Sequence, residues 1–149
     1  MRAVVQRVSK AEVLVDNISL GQINKGLLIL LGVAEEDTET DINYMVDKTL
    51  NLRIFEDENE KMNLSVLDIE GEVLVISQFT LHGDARKGRR PSFSKAGNPQ
   101  KAEALYNQYI QQLKNSGIRV ESGRFAAYME VSLVNDGPVT ILLDSTKIF

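Results

Sequence analysis

Apolar and polar positions alternate in short bursts through the first residues, then give way to continuous apolar runs. Ala3-Val4-Val5 and Ala11-Glu12-Val13-Leu14-Val15 predict two short strands, and Asp16-Asn17 marks a turn into a third over Ile18 to Ile23. Gly26 to Val33 is apolar, short and punctuated by glycines, the pattern of a strand buried on both faces. From Asp37 or Thr38 the period becomes helical, with Ile42, Met45, Val46 and Leu50 on one side. Strands are expected at Leu52 to Phe55 and Ser65 to Ile69, with a turn at Asp57 to Asn59 between them and another at Gly71. A central strand is expected over Val73 to Phe79. His82 to Asn98 reads as a long loop, and loops of that length in a compact domain are usually functional or disordered. Asn98-Pro99 opens a second helix with cap and first-turn proline in their preferred places. Its apolar face is Ala102, Leu105, Tyr106, Tyr109, Ile110 and Leu113, and Gly117 can end it. Ile118 to Val120, Ala126 to Val134 and Val139 to Leu143 complete the strands, the last two joined by a turn at Asn135-Asp136-Gly137-Pro138.

These elements predict a mixed α/β, β-rich fold: largely antiparallel sheets with two packed helices, in a single domain over residues 1–149. The 149 residues suit one domain, and 43% hydrophobic with 26% charged content excludes disorder. Without cysteine there is no thiol catalysis, no cysteine-held zinc and no iron–sulfur cluster. A single histidine, His82, rules out histidine metal clusters. The first residues lack a signal-peptide pattern, and the apolar run Gly26 to Ala34 is far shorter than the roughly 18 residues of a membrane span. A soluble, cytoplasmic protein is the expectation.

The formal charge of −4 does not advertise nucleic-acid binding, but its distribution is uneven. Acids gather at Glu35 to Asp41 and Glu56 to Glu60, whereas Arg86, Lys87, Arg89, Arg90, Lys95 and Lys101 have only Asp84 nearby. Such a loop can hold a phosphate backbone or simply be solvated. Phe93 and Phe125, beside basic residues, can likewise stack on a base or pack under a loop. Thr80, His82 and Asp84 carry triad chemistry, yet along a strand their side chains would stand roughly 6–7 Å apart, too far for proton transfer. Gly83, Gly88 and Gly97 lack the spacing of a phosphate-cradling loop.

Two segments remain. Ser77-Gln78-Phe79-Thr80-Leu81 puts polar side chains at the end of an otherwise buried strand, where they either bond neighbouring backbone or sit at an opening. Asn135-Asp136-Gly137-Pro138-Val139-Thr140 reads by itself as an ordinary hairpin turn. As a pair they resemble the signature of the D-aminoacyl-tRNA deacylases, also called D-tyrosyl-tRNA deacylases: a Ser-Gln-Phe-Thr motif at mid-chain and an Asn-x-Gly-Pro-(Val or Phe)-Thr motif near the end. The likeness spans nearly the whole chain, including Gln6-Arg7-Val8, Arg53-Ile54-Phe55, Lys61-Met62-Asn63-Leu64, Arg90-Pro91-Ser92-Phe93 and Gly123-Arg124-Phe125. A sister branch that edits alanine mischarged on threonine tRNA alters both motifs; this chain does not follow it.

The resemblance implies a homodimeric esterase that needs no organic cofactor and releases a D-amino acid from the terminal adenosine of tRNA, and no residue is assigned to a metal. It implies that the Gly137–Pro138 peptide is cis and reaches into the partner subunit's pocket. There the Gly137–Pro138 carbonyls would hold the substrate ammonium, and an L side chain would strike the peptide while a D side chain faces open space. Glycine, with no side chain to reject, should pass, so glycine mischarged on alanine tRNA is an expected second substrate. Backbone amides of Gln78, Phe79 and Thr80 are expected to stabilise the oxyanion. Thr80 is expected to orient water rather than attack, because no base accompanies it. Phe79 is expected to pack near the terminal adenosine with Ser77 and Gln78 in contact with it, Phe125 to bind substrate, and Arg86, Lys87, Arg89 and Arg90 to hold acceptor-stem phosphates.

Overall fold

A computed structural model describes all residues, 1–149. Its organising element is β1 (Arg2–Val15), a single strand where two were expected. The polar pair Ser9-Lys10 interrupts the apolar pattern but not the ladder, because a second long strand follows β1 past this point. Asp16 and Asn17, both at positive φ, turn the chain into β2 (Ile18–Ile23), as a two-residue hairpin requires. β2 pairs with the second half of β1, and β3 (Gly26–Gly32) with the first half, both antiparallel.

Helix α1 (Glu39–Asn51) is held at its start by the Asp41 carboxylate, which accepts from the Thr38 amide at 2.8 Å. It carries the chain over to β6 (Glu72–Ser77), passing a two-stranded ribbon of β4 (Phe55–Glu56) and β5 (Met62–Leu64). Helix α2 (Pro99–Asn115), capped by Asn98 through the Lys101 amide at 3.0 Å, carries it to β7 (Arg119–Ser122). These crossovers let β3, β6 and β7 pair in parallel, so the sheet is mixed at its centre. The pairings of β1 with β2, β3 and β8 and of β4 with β5 are antiparallel, as expected of most of the fold. The uninterrupted apolar runs of β3 and β6 suit that central position, since both their faces are covered. At Gly26 a Cβ would lie 1.8 Å from the Glu72 carbonyl oxygen, so only glycine admits β6 there.

The sheet runs β2–β1–β3–β6–β7, with β8 (Glu130–Asp144) along the other edge of β1. It curls until β2 meets β7, where the Arg119 guanidinium donates to the Gln22 carbonyl at 3.2 Å, giving a nearly closed barrel. Val8, Val13, Ile23, Leu28, Leu74 and Ile76 fill the inside of the curl. The larger apolar layer, around Leu27, Ile29, Met45, Val73, Val75 and Tyr109, lies between sheet and helices.

Several expected strands are not strands. Ser65 to Ile69 folds into turns because the Asp68 carboxylate accepts from both the amide and hydroxyl of Ser65, competing with any ladder. Only Phe55 of the Leu52 to Phe55 stretch is in a strand, since β5 offers a partner only three residues long. The central strand stops at Ser77, and Phe79–His82 forms a 3-10 turn. The largest departure is β8, which runs straight through the expected hairpin at 135–138. Val8 faces Asn135 and Gln6 faces Thr140, so Asp136 to Val139 stand opposite Arg7 alone. The turn residues bulge out of one strand because β1 offers a ladder on both sides of them.

Candidate active site

Where β6 ends, the sheet, α2 and the loop before β8 enclose a cavity of about 520 Å³. Ser77, Gln78 and Phe79 form one side and Phe125 another. These four expected site residues are therefore brought together. The chain leaves β6 with the Gln78 amide donating to the Leu31 carbonyl at 2.8 Å, which removes Gln78 from the expected oxyanion donors. The Phe79 and Thr80 amides open the 3-10 turn and have no acceptor within the chain. Thr80 is exposed, and its Oγ1 accepts from the Gln78 side-chain amide at 2.5 Å. Its own O–H is left free to donate outward.

Much of the cavity wall escaped the sequence reading. Tyr106 and Ala102 of α2, Met129 and the Ala126–Ala127 segment look like ordinary core or loop positions in a linear pattern. The buried Tyr106 hydroxyl donates to the Val75 carbonyl at 2.9 Å, and burial pushes its phenol well above its usual range. The ring thus presents an apolar face while its one polar atom is satisfied.

The triad geometry does not form. His82 closes the 3-10 turn and is buried, not a loop residue, and its Nε2 has no partner. Burial holds its imidazole below the ordinary range, so it is neutral at pH 7. The Asp84 carboxylate is taken by Arg86, whose hydrogen bonds hold it far below the usual carboxylate range. Backbone bonds in both directions between Asp84 and Ser92 close the basic loop, leaving Arg86, Lys87, Arg89 and Arg90 exposed. Phe93 packs edge-on against Phe79 with centroids 5.1 Å apart, tying this loop to the cavity.

The second motif lies elsewhere. In the bulge of β8 the Gly137–Pro138 peptide is cis, Gly137 has φ +139, and both residues are exposed. Asn135 clamps the base of the bulge, its Oδ1 accepting from the Val139 amide at 2.8 Å and its Nδ2 donating to Thr140 at 3.0 Å. Arg7, which the strand pattern gave no reason to single out beyond a charge among inward-facing valines, is buried beneath it. Its guanidinium donates to the Asp136 carbonyl at 2.9 Å and the Ile54 carbonyl at 2.7 Å. Within one chain this bulge is four residues along and three strands across from Ser77, roughly 13 Å and 14 Å by strand rise and spacing.

Residues 4–144 match the family described as D-Tyr-tRNA(Tyr) deacylase. The chain belongs to the D-aminoacyl-tRNA deacylase family. As a member it is a hydrolase, and its similarity to curated members extends from end to end. It is 63% identical to the D-aminoacyl-tRNA deacylase of Clostridioides difficile and 62% identical to that of Caldicellulosiruptor saccharolyticus, each over 100% of both chains. Among solved structures, one named c-Myc DNA Unwinding Element Binding Protein superposes with a TM-score of 0.91 at 44% identity, covering 97% of this chain and 98% of the other. A probable eukaryotic D-amino acid tRNA deacylase shares the fold, with a TM-score of 0.83 at 18% identity over 95% and 97% of the two chains. The deacylase fold here contains no helix long and apolar enough to cross a membrane.

Proposed function

We propose that this deacylase cleaves the ester between a D-amino acid and the terminal adenosine of tRNA, in the cytoplasm, and spares the L-form by steric exclusion. The observation that carries the reading is the pair of unpartnered amides, Phe79 and Thr80, where the Ser-Gln-Phe-Thr motif leaves an apolar cavity lined by its first three residues. The cavity takes the adenosine, with Phe125 and Phe79 beside it and Ser77 and Gln78 as polar contacts. The ester carbonyl lies at the mouth, where the two amides receive charge as it develops on the oxygen. With His82 buried and unpaired to Thr80, no side-chain base activates the threonine. Water attacks directly, positioned by the Thr80 hydroxyl and assisted by a ribose hydroxyl of the substrate.

Exclusion of L-residues falls to Gly137–Pro138. Because one chain keeps this bulge far from its own cavity, a second copy supplies it, and the active unit is a homodimer. Leu142 and Val134 on the outer face of β8, 55% and 44% exposed, suit such a contact. Gly137 lets the bulge approach the α-carbon closely, and rejection acts only on a side chain. Glycine therefore passes, and glycine mischarged on alanine tRNA is a second substrate. The acceptor-stem phosphates meet Arg86, Lys87, Arg89 and Arg90.

The deciding measurement compares hydrolysis of D- and L-tyrosyl-tRNA by purified protein. Release of D-tyrosine with the L-ester left intact is expected, and equal rates on both overturn the reading. Binding of tRNA without any release favours a nucleic-acid-binding module, the kind of role the name of the 44%-identical solved neighbour describes for that protein.

A further inference from the structure

Tyr128 stands at the mouth of the cavity with 87% of its surface exposed, the most exposed large apolar or aromatic residue in the chain. Its hydroxyl has no hydrogen-bond partner, and no other ring packs on it. Tyr44, by contrast, is flanked by Lys48 and Lys147, at 5.6 and 5.3 Å from its ring centre. The backbone holds Tyr128 out deliberately: Ala126, at φ 60, turns the chain, and the Ala127 amide closes that turn on the Arg124 carbonyl at 3.2 Å. Phe79, 58% exposed, lines the same cavity and is braced by Phe93. The charge around this rim is positive, with Arg124 exposed beside the turn and the basic loop behind Phe93; Glu130 is the one exposed acid close to Tyr128 in sequence.

We infer that Tyr128 is a stacking residue for an unpaired nucleotide just upstream of the terminal adenosine, on the 3′ end of a tRNA. This rests on the reading that the cavity takes the aminoacyl-adenosine end. A strand that places its last nucleoside inside must leave its preceding bases at the mouth, where an unsupported ring offers them a flat apolar face. Stacking suits an enzyme that must accept many tRNAs, because every base has a π-face and none is read by sequence. Cations near the rim serve the accompanying phosphates.

The experiment measures kcat/KM for Tyr128→Ala on D-tyrosyl-tRNA and on the 3′ D-tyrosyl ester of adenosine alone, which lacks the upstream nucleotides. A loss of about tenfold or more on the tRNA, carried by KM, is expected from the scale of base–aromatic stacking, with less than about twofold on the adenosine ester. Tyr128→Trp should restore the tRNA rate. Equal loss on both substrates, or no loss on either, overturns the inference. So does a shift in sedimentation of the variant, which would mean that the ring covers another copy of the chain. Binding of uncharged tRNA separates this inference from the functional reading. Tenfold weaker binding by Tyr128→Ala supports stacking even if the wild-type protein releases no D-tyrosine, a result that would sink only the deacylation reading.

Discussion

The two motifs are built in opposite ways. Ser77–Thr80 ends a central strand whose apolar residues are buried, beside a walled cavity, and its unmet groups are the backbone donors of Phe79 and Thr80. Gly137–Pro138 projects from an edge strand, is exposed, and is held from below by Arg7 and Asn135. On the proposed reading the first is a receptor and the second a probe. The first then depends on the packing that shapes it, and the second on the clamps at its base and on a partner surface to meet.

The contrast is broken most sharply at the probe. In Gly137→Ala the new Cβ would lie 2.7 Å from a Val139 methyl and 3.0 Å from the Arg7 guanidinium, at a φ that L side chains rarely adopt. The bulge must shift, and hydrolysis of D-tyrosyl-tRNA should fall by about 100-fold, the cost of an ångström-scale misplacement. Unchanged turnover would show that the bulge takes no part in the site. On the receptor side, Lys87→Glu with Arg89→Glu should raise the KM for tRNA several-fold. Each lost phosphate contact should also lower the salt slope by about one, and identical salt dependence would remove the loop from the tRNA path. Thr80→Val probes the receptor's chemistry. If water is the nucleophile, turnover should stay within roughly tenfold of wild type, whereas a collapse of several orders of magnitude would reveal a covalent threonine route.

The smallest expected effect is a pH dependence of folding behind the receptor. The folded state disfavours protonated His82, so the unfolded chain binds more protons as pH falls below about 6.5, the ordinary imidazole value. The stability present above that pH should decline through it toward the lowered folded value. His82→Leu should flatten this limb in urea titrations between pH 7 and 5.5, and an unaltered slope would assign the effect to other groups.

How far the sequence could be read follows from where each segment finds its partners. The β3 and β6 runs, both capped helix starts and the Asp16-Asn17 hairpin obey local rules, and the structure follows them. At Asn135–Thr140 local turn chemistry predicted a hairpin, but the distant β1 imposed a continuous ladder and turned the same residues into a bulge. Ser65 to Ile69 went the other way, a strand-like composition overruled by one carboxylate three residues on. The site divides similarly. Ser77, Gln78, Phe79 and Phe125 could be picked out by motif and by neighbouring charge. Tyr106 and Met129 could not, since a residue facing a cavity carries the same periodic signal as one facing the core. Arg7 left a faint trace, a charge at an inward position of an apolar strand.

β8 offers one unpaired flank of main-chain donors and acceptors over 15 residues, an invitation to add further strands without limit. The bulge withdraws that invitation. Asp136 to Val139 leave the ladder line, and Pro138 has no N–H to offer, so no incoming strand can zip along the whole margin. The insertion that reaches outward thus doubles as a guard against runaway, fibre-like growth.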